Sequence, residues 1–491
     1  MQAPAPPTAP SAATPAHLMR TALSVLATIA SETDPLGPMF AAAGHELALV
    51  GGPVRDAFLG RRSADLDFTT SARPEQTEAI LAEWADATWD VGRDFGTIAG
   101  RRGDVVVEIT TYRTEAYDEG SRKPVVAFGD TLEGDLERRD FRVNAMAVRL
   151  PDLTFVDPWG GLADLAAGVL NTPASPQQSF DEDPLRILRA ARFAAQLGLD
   201  VEPGVMTAMT ELAPRLEIVS AERVQAELVK TLLAPAPRRG IELLVETGVA
   251  DVVLPEVPAM RLEIDEHHRH KDVYTHSLTV LDQAIALETP ADGAVPGPDL
   301  VLRLAALLHD IGKPDTRRNE SGGRVSFHHH EIVGAKLARR RLKALRFDKG
   351  TVAQVSELIA LHLRFHGYGE AGWTDSAVRR YVTDAGPLLE RLHRLTRADC
   401  TTRNRKKAER LSHAYDDLER RIAELREQEE IDAIRPDLDG TAIMAILGIG
   451  PGREVGAAYK HLLALRMEEG PLGAERAEAE LRSWWAAREG E

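Results

Sequence analysis

Leu47-Ala48-Leu49-Val50-Gly51-Gly52-Pro53-Val54-Arg55-Asp56, followed shortly by Asp65-Leu66-Asp67-Phe68-Thr69-Thr70, decides how this chain begins its fold. An apolar run, a glycine pair and a proline read as strand, turn and then a helix opening at Pro53, where proline is favoured. Two glycines let a ligand approach the backbone, and the free N–H groups of a helix start attract phosphate oxygens. Arg55, one turn in, adds a charge-assisted contact to the same anion. Asp65 and Asp67 alternate along a strand-like run, so both carboxylates face one side while Leu66 faces the other. Paired carboxylates beside a phosphate cradle suit a magnesium-dependent phosphoryl or nucleotidyl transferase.

The motif is similar to the head motif of the bacterial CCA-adding enzyme and poly(A) polymerase family, class II nucleotidyltransferases. The resemblance implies a polymerase β-like head in which Asp65 and Asp67 hold two Mg2+ ions while Gly52 and Arg55 hold the triphosphate. Asp135-Leu136-Glu137-Arg138-Arg139-Asp140-Phe141-Arg142-Val143-Asn144 resembles the second head motif. There Asp140 and Asn144 offer acceptors and a donor suited to ribose hydroxyls, and the resemblance implies that Arg139 contacts the nucleotide. Glu108, in the run Val105 to Thr111, is a possible third head carboxylate, or an exposed residue of an alternating strand.

Glu182-Asp183-Pro184-Leu185-Arg186, with Arg189 and Arg192, matches the EDxxR motif. Asp183 is placed to cap a helix with Pro184 at its first position. Asp183, Arg186, Arg189 and Arg192 recur every third residue as a slanted stripe, leaving Leu185, Leu188 and Phe193 to pack. A carboxylate accepts from the exocyclic amino group of C or A while a guanidinium donates to the ring nitrogen; U and G present the opposite order. An Asp183–Arg186 pair would thus choose CTP and ATP without a nucleic-acid template, and the resemblance implies nucleotide binding by Arg189 and Arg192. In Ser220 to Glu227, a match to the next motif, Glu222, Arg223 and Glu227 are spaced for pairing within one helix.

Leu307-Leu308-His309-Asp310-Ile311-Gly312-Lys313 is a second signal and resembles the HD metal-dependent phosphohydrolases. The resemblance implies a metal set of His276, His309, Asp310, His330, His362 and Asp399. Imidazole and carboxylate ligands suit Mn, Ni, Co, Fe or Zn, which activate water against phosphate esters.

At 491 residues the chain has room for several domains, and 44% hydrophobic with 27% charged residues is ordinary for a globular protein. No apolar run reaches membrane-spanning length. The single cysteine, Cys400, excludes a disulfide framework and suits the cytoplasm. A net charge of −17 argues against indiscriminate coating of nucleic acid, so RNA would be gripped by local basic faces such as Arg186, Arg189 and Arg192, or Arg403 to Lys407. The expected fold is α+β: a lead-in over 1–35 that is poorly ordered and lacks signal-peptide character, a mixed-sheet head over 36–170, and a helical neck over 171–262. An HD domain over 263–402 and a helical, tRNA-binding tail over 403–491 follow. After Asp181 no strand is expected. A charged helix runs from Arg403 to Glu430, and Leu447 to Gly452 is a turn between late helices.

The resemblance implies a tRNA nucleotidyltransferase that builds C-C-A from CTP and ATP, with no membrane and no obligate protein partner. Poly(A) polymerase is the rival, but Gly92-Arg93-Asp94-Phe95 breaks its basic signature at Asp94. A CC-only enzyme would lack the loop that Tyr117 to Gly129 retains. A phosphohydrolase with an inactive head, or a non-catalytic RNA binder, is opposed by the intact Asp65/Asp67 and Asp183–Arg186.

Overall fold

The computed structural model describes residues 14–92, 96–116, 125–129, 131–261, 272–321, 325–367, 373–401, 405–429 and 434–489. Most of the loop from Tyr117, the Arg93 to Phe95 triplet and Arg403–Asn404 lie outside them. The chain divides into two compact units, Met1–Pro255 and Glu256–Glu491.

In the first unit, seven strands form one mixed sheet: β1 (Leu47–Val50), β2 (Leu66–Thr70), β3 (Ala87–Gly92), β4 (Thr97–Arg102), β5 (Val105–Thr111), β8 (Ala147–Leu150) and β9 (Thr154–Val156). Their order is β3-β4-β5-β2-β1-β8-β9, with β2 and β5 parallel and the other pairs antiparallel. A separate antiparallel ribbon joins β6 (Arg113–Ala116) to β7 (Val125–Phe128). β1 is buried throughout, which is why it reads as an unbroken apolar run. β3 lies at the sheet edge with exposed Trp89 and Val91; its mixed composition leaves no alternating pattern, so sequence reasoning passes over it.

The segment expected to be a poorly ordered lead-in is, from Pro15 to Glu32, a helix. The Thr14 side chain caps it, and Leu18, Ala22, Leu26 and Ile29 bury one stripe. The Ala/Pro-rich start masked that period. Past the sheet the unit is mainly helical, with helices Pro176–Glu182, Leu185–Leu197, Pro203–Leu212, Ala221–Leu232 and Pro237–Glu246. The expectation of no late strands needs correction: Val169–Leu170 pairs in parallel with Asp200–Val201, and Arg318–Asn319 pairs with Val325–Ser326. Two-residue bridges are too short to carry a period.

Among its described residues the second unit is helical apart from the latter pairing, an isolated bridge between Thr289 and Pro296, and connecting turns. Helices Val273–Ala286, Leu300–Leu308, His330–Ala344, Lys349–Leu361 and Leu389–Asp399 surround a histidine cluster. The charged helix runs over Arg405–Glu429. Helices Gly440–Leu447, Arg453–Glu469 and Ala474–Glu489 share a core of Ile443, Ala458, Leu462, Ala477 and Leu481, and Gly448 turns the chain between the first two at φ +65°.

Candidate active site

A cleft of about 560 Å³ opens in the first unit between the sheet and the 185–197 helix. Eight arginines line it (Arg55, Arg113, Arg138, Arg139, Arg186, Arg189, Arg192 and Arg223) against the aspartates Asp67, Asp140 and Asp183. A chain of net charge −17 therefore carries a local anion-attracting pocket.

The glycine turn forms one wall. Gly51 has φ +72° and ψ −131°, a conformation that side chains resist, and a Cβ there would meet Arg139 Nη1 at 3.0 Å. Arg55, 5% exposed, is fixed by Asp56 Oδ1 at 2.8 and 2.9 Å and by Asn144 Oδ1 at 2.6 Å. Asn144 Nδ2 donates in turn to Asp140 Oδ1 at 3.0 Å, and Arg189 Nε donates to Asp140 Oδ2 at 2.7 Å. Burial works against the Asp140 charge, but Arg189, Asn144 and the Phe141 N–H outweigh it and hold the carboxyl at about 2.

The 185–197 helix forms the opposite wall. It starts at Leu185 with Pro184 as its cap residue, one position later than expected, and Asp183 Oδ1 accepts from the Leu185 N–H at 3.2 Å. Arg186 is clamped: Nη1 donates to Ser179 Oγ and its carbonyl at 2.9 and 3.2 Å, and Nη2 to the Arg138 carbonyl at 2.6 Å. Phe193 packs edge-on against Phe141 with ring centroids 5.6 Å apart, and the Arg192 guanidinium lies 4.3 Å over its ring. Arg223 and Glu227, expected to pair within 220–227, take partners from other elements: Arg223 reaches Asp183 at 3.2 Å, and buried Glu227 pairs with Arg192 at 3.0 Å. The same spacing serves either arrangement, so the sequence could not choose.

The acidic groups lie on the sheet. Asp65 is exposed just before β2, one residue short of the expected strand, and Asp67 stands in β2 opposite Glu108 of β5. Parallel register puts the Asp67 and Glu108 side chains on one face. Burial pushes Asp67 above the usual carboxylate range; Arg139 opposes this, while Glu108 and Asp65 reinforce it. Carboxylates gathered beside one another in this way are a favourable setting for a divalent cation.

In the second unit, four imidazoles converge. His309 Nδ1 meets the Ala306 carbonyl at 2.9 Å, His330 Nδ1 that of Phe327 at 2.8 Å, and His362 Nδ1 that of Ile359 at 2.6 Å. His276 Nδ1 meets Thr401 Oγ1 at 3.2 Å. Each anchored Nδ1 leaves Nε2 aimed inward, the arrangement that orients metal-ligating histidines. His276, His309 and Asp310 form one set whose ligand atoms lie within 4.8 Å of one another; Asp310, His330 and His362 form another. Asp310 belongs to both, and Asp399 closes on His276 at 2.9 Å and His309 at 3.5 Å. The Nε2 atoms of His330 and His362 are buried without a hydrogen-bond partner, as fits atoms reserved for a cation. Burial opposes a charge on His309, but Asp310 and Asp399 raise it to about 10; burial lowers His362 to about 3, with the nearby His309 adding to the effect.

These residues match known families. Residues 47–171 match the poly A polymerase head domain, 198–260 the probable RNA and SrmB-binding site of polymerase A, and 273–404 the HD domain. The chain is 34% identical over 427 residues to the A-adding tRNA nucleotidyltransferase of Deinococcus radiodurans, covering 85% of this chain and 91% of that protein. This chain belongs to the tRNA nucleotidyltransferase family. It is also 40% identical over 236 residues to the CCA-adding enzyme of Streptococcus gordonii, spanning 58% of that protein. Among solved structures, this nucleotidyltransferase resembles the Bacillus stearothermophilus CCA-adding enzyme in complex with CTP, with a TM-score of 0.66, 25% identity and coverage of 93% and 97% of the two chains. The Thermotoga maritima CCA-adding enzyme complexed with tRNA shares the fold, with a TM-score of 0.60, 18% identity and coverage of 96% and 98%.

The nucleotidyltransferase cleft thus gathers Gly52, Arg55, Asp67, Arg139, Asp140, Asn144, Asp183, Arg186, Arg189 and Arg192. Asp65 and Glu108 lie outside its lining, beside Asp67. Sequence reasoning missed Arg113, Arg138, Gln196 and Arg223 as lining residues, and Asp56, Asp135 and Glu227 as the anchors of Arg55, Arg139 and Arg192. Arg113 stands two residues past the end of β5, which is the one local hint available. Among the described residues, no helix is long and apolar enough to cross a membrane.

Proposed function

We propose that this protein adds C-C-A to the 3′ end of tRNA from CTP and ATP in the cytoplasm, releasing pyrophosphate. The observation that carries this reading is that Asp183 and clamped Arg186 line a cleft that also holds the Gly51 turn and Asp67. Arg186 spends its Nη1 hydrogens and one Nη2 hydrogen on Ser179 and Arg138, which fixes its plane and leaves Nε–H and one Nη2–H for a base edge. Asp183 keeps lone pairs for an exocyclic amino group. Arg55, Arg139, Arg189 and Arg192 counter the triphosphate charge, and Asp140 and Asn144 face the ribose. Asp65 and Asp67, with Glu108 beside them, would hold Mg2+, which when bound neutralises phosphate charge and makes the primer hydroxyl more acidic.

A second reading, addition of the terminal A alone, is favoured by the breadth of the match to the Deinococcus radiodurans protein. Purified protein is given tRNA lacking C-C-A, or tRNA already ending in C-C, with each labelled nucleotide in turn. Ordered C, C, A addition and a stop supports the proposal. Incorporation of A onto the C-C end alone supports the second reading, and unlimited A addition overturns both. For the second unit we propose metal-dependent hydrolysis of phosphate esters, with His276, His309, Asp310, His330, His362 and Asp399 holding Mn, Ni, Co, Fe or Zn.

A further inference from the structure

Asp135 is 1% exposed, and the proposed reaction gives it no part of its own beyond the anchoring of Arg139. Its Oδ1 accepts from Arg138 Nε and Nη2 at 3.2 and 2.9 Å and from the Arg113 backbone N–H at 3.3 Å. Its Oδ2 accepts from Arg139 Nη2 at 3.2 Å. Burial opposes its charge, yet Arg139 and Arg138 hold the carboxyl below the usual range.

Three separate parts of the cleft meet at this one carboxylate. Arg113 begins β6, the root of the β6–β7 ribbon, and its own side chain lines the cleft. Arg139 extends from Asp135 to the Gly51 turn, where its Nη1 occupies the space a Cβ would need. The third link runs through Arg138, whose side chain is held by Asp135 while its carbonyl receives Arg186 Nη2 at 2.6 Å.

We propose that Asp135 is a positioning residue that sets both nucleotide affinity and base choice, by holding Arg139 over the Gly51 turn and Arg138 beneath Arg186. This rests on the nucleotidyl-transfer reading of the cleft. A carboxylate that only stabilised the fold would, once neutralised, lower the melting temperature and leave the surviving folded enzyme with its normal KM and selectivity. A positioning carboxylate predicts a different outcome, because the guanidiniums stay in the cleft but lose their aim.

The test uses the full chain carrying Asp135→Asn, which keeps the shape and an acceptor but removes the charge, and a second variant, Arg138→Lys. Hydrogen bonds to charged groups are worth enough that losing their alignment should raise KM for CTP and ATP roughly tenfold. Turnover at saturation should change less than about threefold, and UTP incorporation relative to CTP should rise at least about fivefold. Arg138→Lys should move both readouts in the same direction by less. A folded Asp135→Asn enzyme with wild-type KM and wild-type CTP:UTP ratio would overturn the proposal. If Asp135→Asn does not fold, Arg138→Lys decides, since that side chain is 20% exposed and tolerates change; wild-type values there overturn it equally. Wild-type protein that bound CTP but added nothing to tRNA would instead sink the transfer reading, and the CTP affinities of the two variants would then decide the positioning claim.

Discussion

Asp183→Asn separates stability from specificity. The Asp183–Arg223 ion pair joins side chains that are 31% and 55% exposed, and such surface pairs contribute at most about 1 kcal/mol. Asparagine still offers an oxygen to the Leu185 N–H, so the start of the 185–197 helix is kept. The fold should therefore lose about 1 kcal/mol or less. Base choice should respond far more, because the amide can donate where the carboxylate only accepts, and a paired base-edge contact carries roughly 1–3 kcal/mol of discrimination. That range corresponds to about 5- to 150-fold in selectivity. The assay is single-turnover extension of tRNA lacking its 3′ end, with kcat/KM measured for CTP and UTP on wild type and variant, beside a thermal melt. A variant that melts normally and keeps the C:U ratio within about twofold of wild type would refute the base-reading role of Asp183.

Glu227→Gln leaves the nearly buried Arg192 cation without its partner, and the first unit should lose about 3 kcal/mol, read as a lower urea midpoint. Asp140 has its pKa depressed to about 2, so its stabilising contribution is complete above the ordinary carboxylate value near 4 and is lost as pH falls toward 2. Asp140→Asn should accordingly be destabilised by about 2 kcal/mol at pH 7, with the difference from wild type closing between about pH 4 and 2; a gap that did not change with pH would contradict this. Removing metal with a strong chelator should abolish phosphate-ester hydrolysis, and adding Mg2+ alone should restore nucleotide addition but not hydrolysis. By elemental analysis, Asp310→Ala, shared by both ligand sets, should lose more bound metal than His362→Ala, which belongs to one.

The sequence by itself determined the chemistry and its order along the chain. Gly51-Gly52, Asp65-Leu66-Asp67 and Glu182-Asp183-Pro184-Leu185-Arg186 are local patterns, and strand alternation or helix period is enough to say which side chains share a face. The histidines of the second unit were legible as a set only through the resemblance that the His309-Asp310 motif carries. What only the tertiary structure decided was partnership. Nothing local tells Arg223 to choose Asp183, or Glu227 to choose Arg192, over neighbours on their own helix. The joining of Asp135 to the root of a ribbon and to two arginines depends on elements brought together by the sheet. The Pro15–Glu32 helix likewise owes its stability to a buried stripe packed against the rest of its unit, which an Ala/Pro-rich beginning conceals. Short-range geometry is written in residue spacing, whereas long-range pairing is settled by which charges are desolvated together when the chain closes up.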